Sequence, residues 1–353
     1  MARGLGGIGI VVLFVAVAPF FGMHAARILS AEVSGINQPR FTPRIVDTAK
    51  GLLVVYMTLS VAQTIALLLA GTSLYDAVIH TFTTIATGGF SPYTDSIGFY
   101  DSVAIEVVVM IFMALSAVSF ALYYVLYTRR QLGVLLDREL LGYLAILAGS
   151  VLFVWGVLVF GGEYGDDWAE ALRYAAFDVI SVMTTTGYVT ADFDEWDTAA
   201  KLVLFLLMFV GGCAGSTAGG IKVVRVLVVA RTIGQDIYRS LSPRAVLPLK
   251  FGEKVISEEV RRAILGLVLA WLAVFAVASI LISVQADLSL VSSLSAVAAT
   301  LNVIGPGLDQ VGASENYEAV SAFGCVVLTA CMLLGRLEIF TALALLSPAF
   351  WRR

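Results

Sequence analysis

Val182-Met-Thr-Thr-Thr-Gly-Tyr-Val-Thr-Ala-Asp192 closes a short amphipathic run over residues 167–184, set between two long apolar segments. Two further stretches repeat the plan: Thr84-Ile-Ala-Thr-Gly-Gly-Phe-Ser91 after a run at 73–87, and Ala299-Thr-Leu-Asn-Val-Ile-Gly-Pro-Gly-Leu308 after a run at 287–301. Each run carries an aspartate (Asp76, Asp178, Asp287). None is long enough to span a bilayer at about 1.5 Å of rise per residue, so each fits a re-entrant helix. Irregular backbone is tolerated at membrane depth only where it is buried in protein or lines a cavity. A glycine loop on a half-length helix offers backbone carbonyls to a cation, so three such loops point to an ion pathway.

The composition supplies the membrane setting. Of 353 residues, 59% are hydrophobic and 14% charged, with a mean hydropathy of +0.92. Soluble domains average about 45–50% apolar and 25% charged. About 20 apolar residues cross a bilayer, and such windows lie at roughly 5–29, 46–70, 103–128, 140–162, 199–232, 259–284 and 317–347. Cys213, Cys325 and Cys331 sit in apolar segments without a CxxC pair, and His24 and His80 are isolated, so no disulfide or transition-metal site is expected. No nucleophile–base set supports an enzyme, and neither a cofactor nor a nucleic-acid partner is expected.

Charge gives the orientation. Basic residues gather near 27–50 (Arg27, Arg40, Arg44, Lys50), at 127–139 (Arg129, Arg130, Arg138), through 222–262 and at Arg352-Arg353. The alternate connections 71–102 and 285–316 hold no Lys or Arg, and 162–198 holds only Arg173 among many acids. The positive-inside bias predicts basic loops in the cytoplasm and all three glycine loops outside, in a multi-pass plasma-membrane protein embedded in lipid. The acidic outer loops would also concentrate cations at the mouth.

The fold class that follows is an all-α membrane protein. Its repeating unit is helix, pore helix, filter loop, helix, arranged pseudosymmetrically around a pore. The boundaries read 46–139, 140–257 and 258–353, preceded by a partial unit over 1–45. The glycines that align, Gly89, Gly187 and Gly305, are 98 and 118 residues apart by subtraction. That is a domain-sized repeat rather than a solenoid period. For one loop alone, close helix packing would be the better explanation of a glycine; three in register on one side reverse that and favour the carbonyl reading. Residues 211–220 (GGCAGSTAGG) interrupt the 199–232 segment with five glycines and no bulky side chain, so helix propensity there is low. Arg336 stands mid-span with Glu338 close by in sequence, and a membrane-embedded arginine usually faces a cavity or a partner group.

The three loop stretches, together with Phe209–Arg225 (FVGGCAGSTAGGIKVVR) and Leu334–Trp351 (LGRLEIFTALALLSPAFW), resemble the Trk/Ktr/HKT superfamily of potassium transporters, in its TrkH-like branch. They keep the family's order across nearly the whole chain. The resemblance implies a potassium-translocating pore of four units around one axis, with a filter here at Thr87, Gly88, Gly89, Phe90, Thr186, Gly187, Tyr188, Asn302, Val303, Ile304 and Gly305. It also implies a gate made by an intramembrane loop, here Gly211, Gly212, Gly215, Ser216, Thr217, Gly219 and Gly220, with Arg336 as an electrostatic barrier beneath the filter. A homodimer and a TrkA-like cytoplasmic nucleotide-binding regulatory subunit are its implied partners. The basic segment 222–262 fits such docking, or plain topology, or anionic lipid.

One departure bears on activity. Leu5–Gly22 resembles the second membrane helix of the family's first unit, with Gly4 where the family has Trp, and the pore loop and helix that precede it in the family are not among these residues. The expectation is that these residues insert in a membrane but do not close a four-sided filter alone. The alternative function is therefore a non-conducting assembly or regulatory subunit. An alternating-access carrier would need carboxylates at the midplane of broken helices, and no such pair is evident.

Overall fold

The computed structural model describes residues 45–242, 248–252, 254–284, 288–337 and 339. The expectations for span 5–29, Asp287, Glu338 and the end of span 317–347 lie outside the described residues.

Eleven α-helices appear among the described residues. The first three are α1 (Ile45–Leu69), α2 (Leu74–Ile85) and α3 (Val103–Ser116), which pack on one another. After α4 (Phe120–Arg129) the pattern recurs as α5 (Arg138–Gly161), α6 (Trp168–Met183) and α7 (Thr198–Leu207), again mutually packed. After α8 (Val223–Leu241) it recurs once more as α9 (Glu258–Ser283), α10 (Leu290–Leu301) and α11 (Ala322–Arg336). Each triplet is a half-length helix wedged between two flanking ones, with its own buried core: Leu67, Ile105 and Val109 in the first, Tyr143, Val154 and Leu204 in the second, Trp271, Leu301 and Leu328 in the third.

Lys50–Leu69, Arg138–Gly161 and Glu258–Ser283 are each long and apolar enough to cross a membrane. Their outer faces expose large apolar side chains such as Leu53, Leu152 and Leu269, the pattern of helices solvated by lipid. The half-length helices start on an N-cap. Ser73 accepts from the Asp76 amide, Asp167 from Glu170 and Ser289 from Ser292, which satisfies one orphan donor at each start.

Three observations depart from the sequence expectations. The span expected at 103–128 is broken: α3 and α4 meet at 87° across Ala117–Ser119. The last span begins at Ala322, capped by Ser321, because Tyr317–Ala319 forms a separate 3-10 turn. A small ribbon, β1 (Lys250–Phe251) antiparallel to β2 (Lys254–Val255), adds two strands to a fold expected to be wholly helical.

Arg173 on α6 bonds both carboxylate oxygens of Glu106 on α3 at 3.0 and 3.1 Å, joining the first two triplets. The single basic residue of the 162–198 segment thus has a structural partner.

Candidate functional site

Each half-length helix ends in the same backbone figure. The Thr87, Thr185 and Val303 amides donate to Thr84, Val182 and Thr300 at 2.9, 3.0 and 3.1 Å. The next amides, Gly88, Thr186 and Ile304, reach back to Thr83, Ser181 and Ala299 at 2.7, 3.0 and 2.8 Å. Thr87, Thr185 and Val303 have φ of +51°, +56° and +61°, and Gly89, Gly187 and Gly305 have +60°, +82° and +122°. A positive φ on a β-branched residue is a genuine outlier. Strain of about 1–3 kcal/mol per residue persists only where the surroundings over-determine it, and it clusters at functional sites. The positions match the 98- and 118-residue offsets residue for residue.

The three turns meet. A Cβ on Gly89 would fall on the Thr186 carbonyl, and one on Gly187 on the Ile304 carbonyl. A Cβ on Gly305 would meet nothing within 4 Å among the described residues. Each turn also sits at the C-terminal end of its helix, where the macrodipole is negative and favours a cation.

Tyr188 is buried and crosses between triplets. Its hydroxyl lies 2.5 Å from the Thr83 hydroxyl and donates to the His80 carbonyl at 3.2 Å, both on α2. The equivalent residues by offset are Phe90, which is exposed, and Pro306, so this strap belongs to the second turn. Tyr317 donates to the Gly305 carbonyl at 2.7 Å from the third triplet's outer segment.

Residues 211–220 form a loop packed against the inner side of these turns. Its base is closed by Val210 and Ile221: the Gly211 amide donates to the Ile221 carbonyl at 2.9 Å, and the Val223 amide to Gly212 at 3.1 Å. Its apex is held by all three turns. Thr87 donates to the Thr217 carbonyl at 2.9 Å, and the Gly219 amide donates to the Thr185 hydroxyl at 2.6 Å. A Cβ on Gly219 would strike the Asn302 carbonyl, and Trp271 fixes the Asn302 side chain from behind at 3.1 Å. Thr217 itself donates to the Ile85 carbonyl at 2.9 Å, and Arg336 donates to the Thr217 carbonyl at 3.0 Å. Gly215 has a φ of +75° and offers its carbonyl to the Phe120 amide at 3.1 Å; Ser216 turns its hydroxyl to the Cys213 carbonyl.

Sequence reasoning had singled out neither Thr185 nor Tyr317. A third threonine before the glycine was the signal for the first; a tyrosine in a polar outer segment carries none. A further residue without a signal is Glu139, whose carboxylate accepts from the Ala214 amide at 2.6 Å.

On the far side of the turns, Asp192, Asp194, Asp309, Glu315 and Glu318 line a cavity of about 660 Å³. Hydrogen bonds from Ser289 and Ser292 hold Asp309 below the usual carboxylate range, whereas burial raises Asp194. The Asp309 amide donates to Asp194 at 2.8 Å, tying the second and third triplets beside this cavity. Among the described residues no group of three or more His, Cys, Asp or Glu could hold a metal ion.

Comparison with known proteins places this geometry in context. Residues 1–353 match the sequence profile of the TrkH family, described as a cation transport protein. The Trk system potassium uptake protein TrkH of Halomonas elongata is 38% identical over 352 residues, covering 99% of this chain and 72% of that protein. TrkH of Escherichia coli K12 is 36% identical over 354 residues, covering 100% and 72%. The crystal structure of the potassium transporter TrkH from Vibrio parahaemolyticus superposes with a TM-score of 0.86 at 35% identity, covering 99% of this chain and 71% of that one.

Proposed function

Because this chain belongs to the TrkH family of cation transport proteins, embedded in a membrane and moving potassium across it, we propose how its residues do so. The three glycine turns are the selectivity filter, and loop 211–220 with Arg336 is the gate beneath it. The observation that carries the reading is the backbone figure at 87–89, 185–187 and 303–305, with strained residues at matching positions in loops that touch. In an extended chain successive carbonyls point to opposite sides. Alternate residues at positive φ break that alternation and let several carbonyls face one axis, where they replace the hydration shell of potassium. Thr87, Gly88, Gly89, Phe90, Thr186, Gly187, Tyr188, Asn302, Val303, Ile304 and Gly305 supply the lining.

The loop fits a gate by position and by chemistry. It is bonded to the first two turns and lies against the third, and Arg336 brings a fixed positive charge to the Thr217 carbonyl at its apex. A cation leaving the filter would meet both the backbone obstruction and that charge. The repeating units run 46–139, 140–257 and 258–353. The acidic mouth faces outward and the basic 222–262 segment faces the cytoplasm, where a nucleotide-binding regulatory subunit would dock on a homodimer.

Uptake measured in cells lacking other potassium systems tests the filter. Gly89→Ser, Gly187→Ser and Gly305→Ser, made singly in the complete protein, are expected to lower the preference for potassium over sodium. An unchanged preference in all three would sink the assignment.

A further inference from the structure

Glu139 is a buried carboxylate in the first turn of α5, and a charge withdrawn from water is strongly disfavoured unless it is paired and hydrogen-bonded. Its compensation comes from the two flanks of loop 211–220. The Ala214 amide donates to it at 2.6 Å, and the charge of Lys222 acts on it. Lys222 in turn donates to the Ala218 carbonyl across the loop. One carboxylate thus bonds the rising limb of the loop and faces the charge of Lys222, which is itself bonded to the descending limb.

We propose, resting on the reading of loop 211–220 as the gate, that Glu139 is the positioning residue that latches this loop shut. The bonds from Thr87, Thr185 and Arg336 hold the apex to the filter and neighbouring helices. The bond from Glu139 holds the loop from behind. An ionised carboxylate accepts more strongly than the neutral groups around it, and loss of this one frees an amide of the loop itself. With Glu139 removed, the loop leaves its obstructing place more often and flux rises, while the filter turns, which Glu139 does not touch, keep their preference for potassium.

Cys213, fully buried beside Ala214, is a built-in reporter of the loop's release. The experiment uses the complete protein in vesicles, with Cys325 and Cys331 replaced and native flux retained. It measures potassium flux per folded protein together with labelling of Cys213 by a membrane-impermeant maleimide. Glu139→Ala is expected to raise both about tenfold, the scale of one hydrogen bond to a charged group. Glu139→Gln, which keeps an acceptor oxygen without the charge, is expected to raise both about threefold, and it stands in if the alanine variant does not fold. Native flux and labelling in the folded variants, or a larger effect from Gln than from Ala, would overturn the latch. Deleting residues within 214–218 separates the two readings. If the deletion raises flux and the Glu139 variants do not, only the latch fails; if the deletion leaves flux unchanged, the gate itself fails.

Discussion

The three turns proposed as the filter and loop 211–220 proposed as the gate are both irregular backbone inside the helix bundle, and they are secured in opposite ways. Each turn is bonded back to the end of its own helix, its amides donating to carbonyls three and five residues earlier in the chain, and the strained residues repeat three times. The loop has few such local ties at its apex. It hangs on side chains from several elements: Thr87, Thr185, Glu139 and Arg336. Locally bonded backbone holds a fixed diameter, which selection among ions requires. Backbone held by remote side chains can be let go without unmaking a helix, which gating requires.

The largest effect should come from breaking the fixed part. Gly187→Ala places a Cβ at a φ of +82° against the Ile304 carbonyl. Strain of about 1–3 kcal/mol and the collision together should cut potassium-selective uptake by about a hundredfold, each factor of ten being about 1.4 kcal/mol. Gly305→Ala, with open space for its Cβ, should show the strain alone and lose about tenfold less. Equal losses at the two positions would mean that contact between turns is not what fixes the filter.

The releasable part should respond in the opposite direction. Deleting residues within 214–218 should raise flux about tenfold in reconstituted vesicles, and Arg336→Ala should raise it by a smaller factor. Since both act through Thr217, the combined variant should give less than the product of the single effects, as coupled sites do. Lower flux from the folded deletion would make the loop a support instead of an obstruction.

Tyr188→Phe probes the tie between the turns. Losing the hydroxyl's bonds to α2 removes about 1 kcal/mol, so the ratio of potassium to sodium uptake should fall about fivefold while total flux persists. The smallest effect belongs to the acidic mouth. Asp309 is held below the usual carboxylate range, so its stabilising charge is present above its unfolded value and lost only as pH falls through the lower folded value. Asp194 is raised by burial, so its charge is disfavoured in the fold and it protonates first on acidification. Lowering the external pH into the carboxylate range should lower uptake by up to about twofold, and less in Asp194→Asn.

What was legible in the sequence divides along the same line. The half-length helices and their turns announce themselves locally, through length, amphipathic spacing and glycine, and the five glycines of 211–220 mark an interruption. The 87° bend at Ala117-Val118-Ser119 was not legible, because these residues contain neither Gly nor Pro. The groups it frees are met by residues 213–215, far along the chain. Glu139 and Tyr317 were hidden for the same reason, since nothing in their neighbours' sequence names the amide or carbonyl each one meets. The lone Arg173 was visible as an exception to the outer charge pattern, but its partner Glu106 was not.

The bend has a bearing on how the protein is made. Cys213 donates its amide to the Ala117 carbonyl at 2.8 Å, and Phe120 donates to the Gly215 carbonyl at 3.1 Å, so two helix interruptions complete each other. A ribosome delivers the first of them long before the second. Until residues 213–215 arrive, the groups at 117 and 120 have no such partners in a medium where an unpaired amide or carbonyl is expensive. The early segment would therefore enter the bilayer as one straighter helix, or wait beside the translocation machinery, and acquire its corner only when the later segment docks. On this account the corner would be a late event of biogenesis, written into a part of the chain not yet synthesised when the helix that bears it first meets lipid.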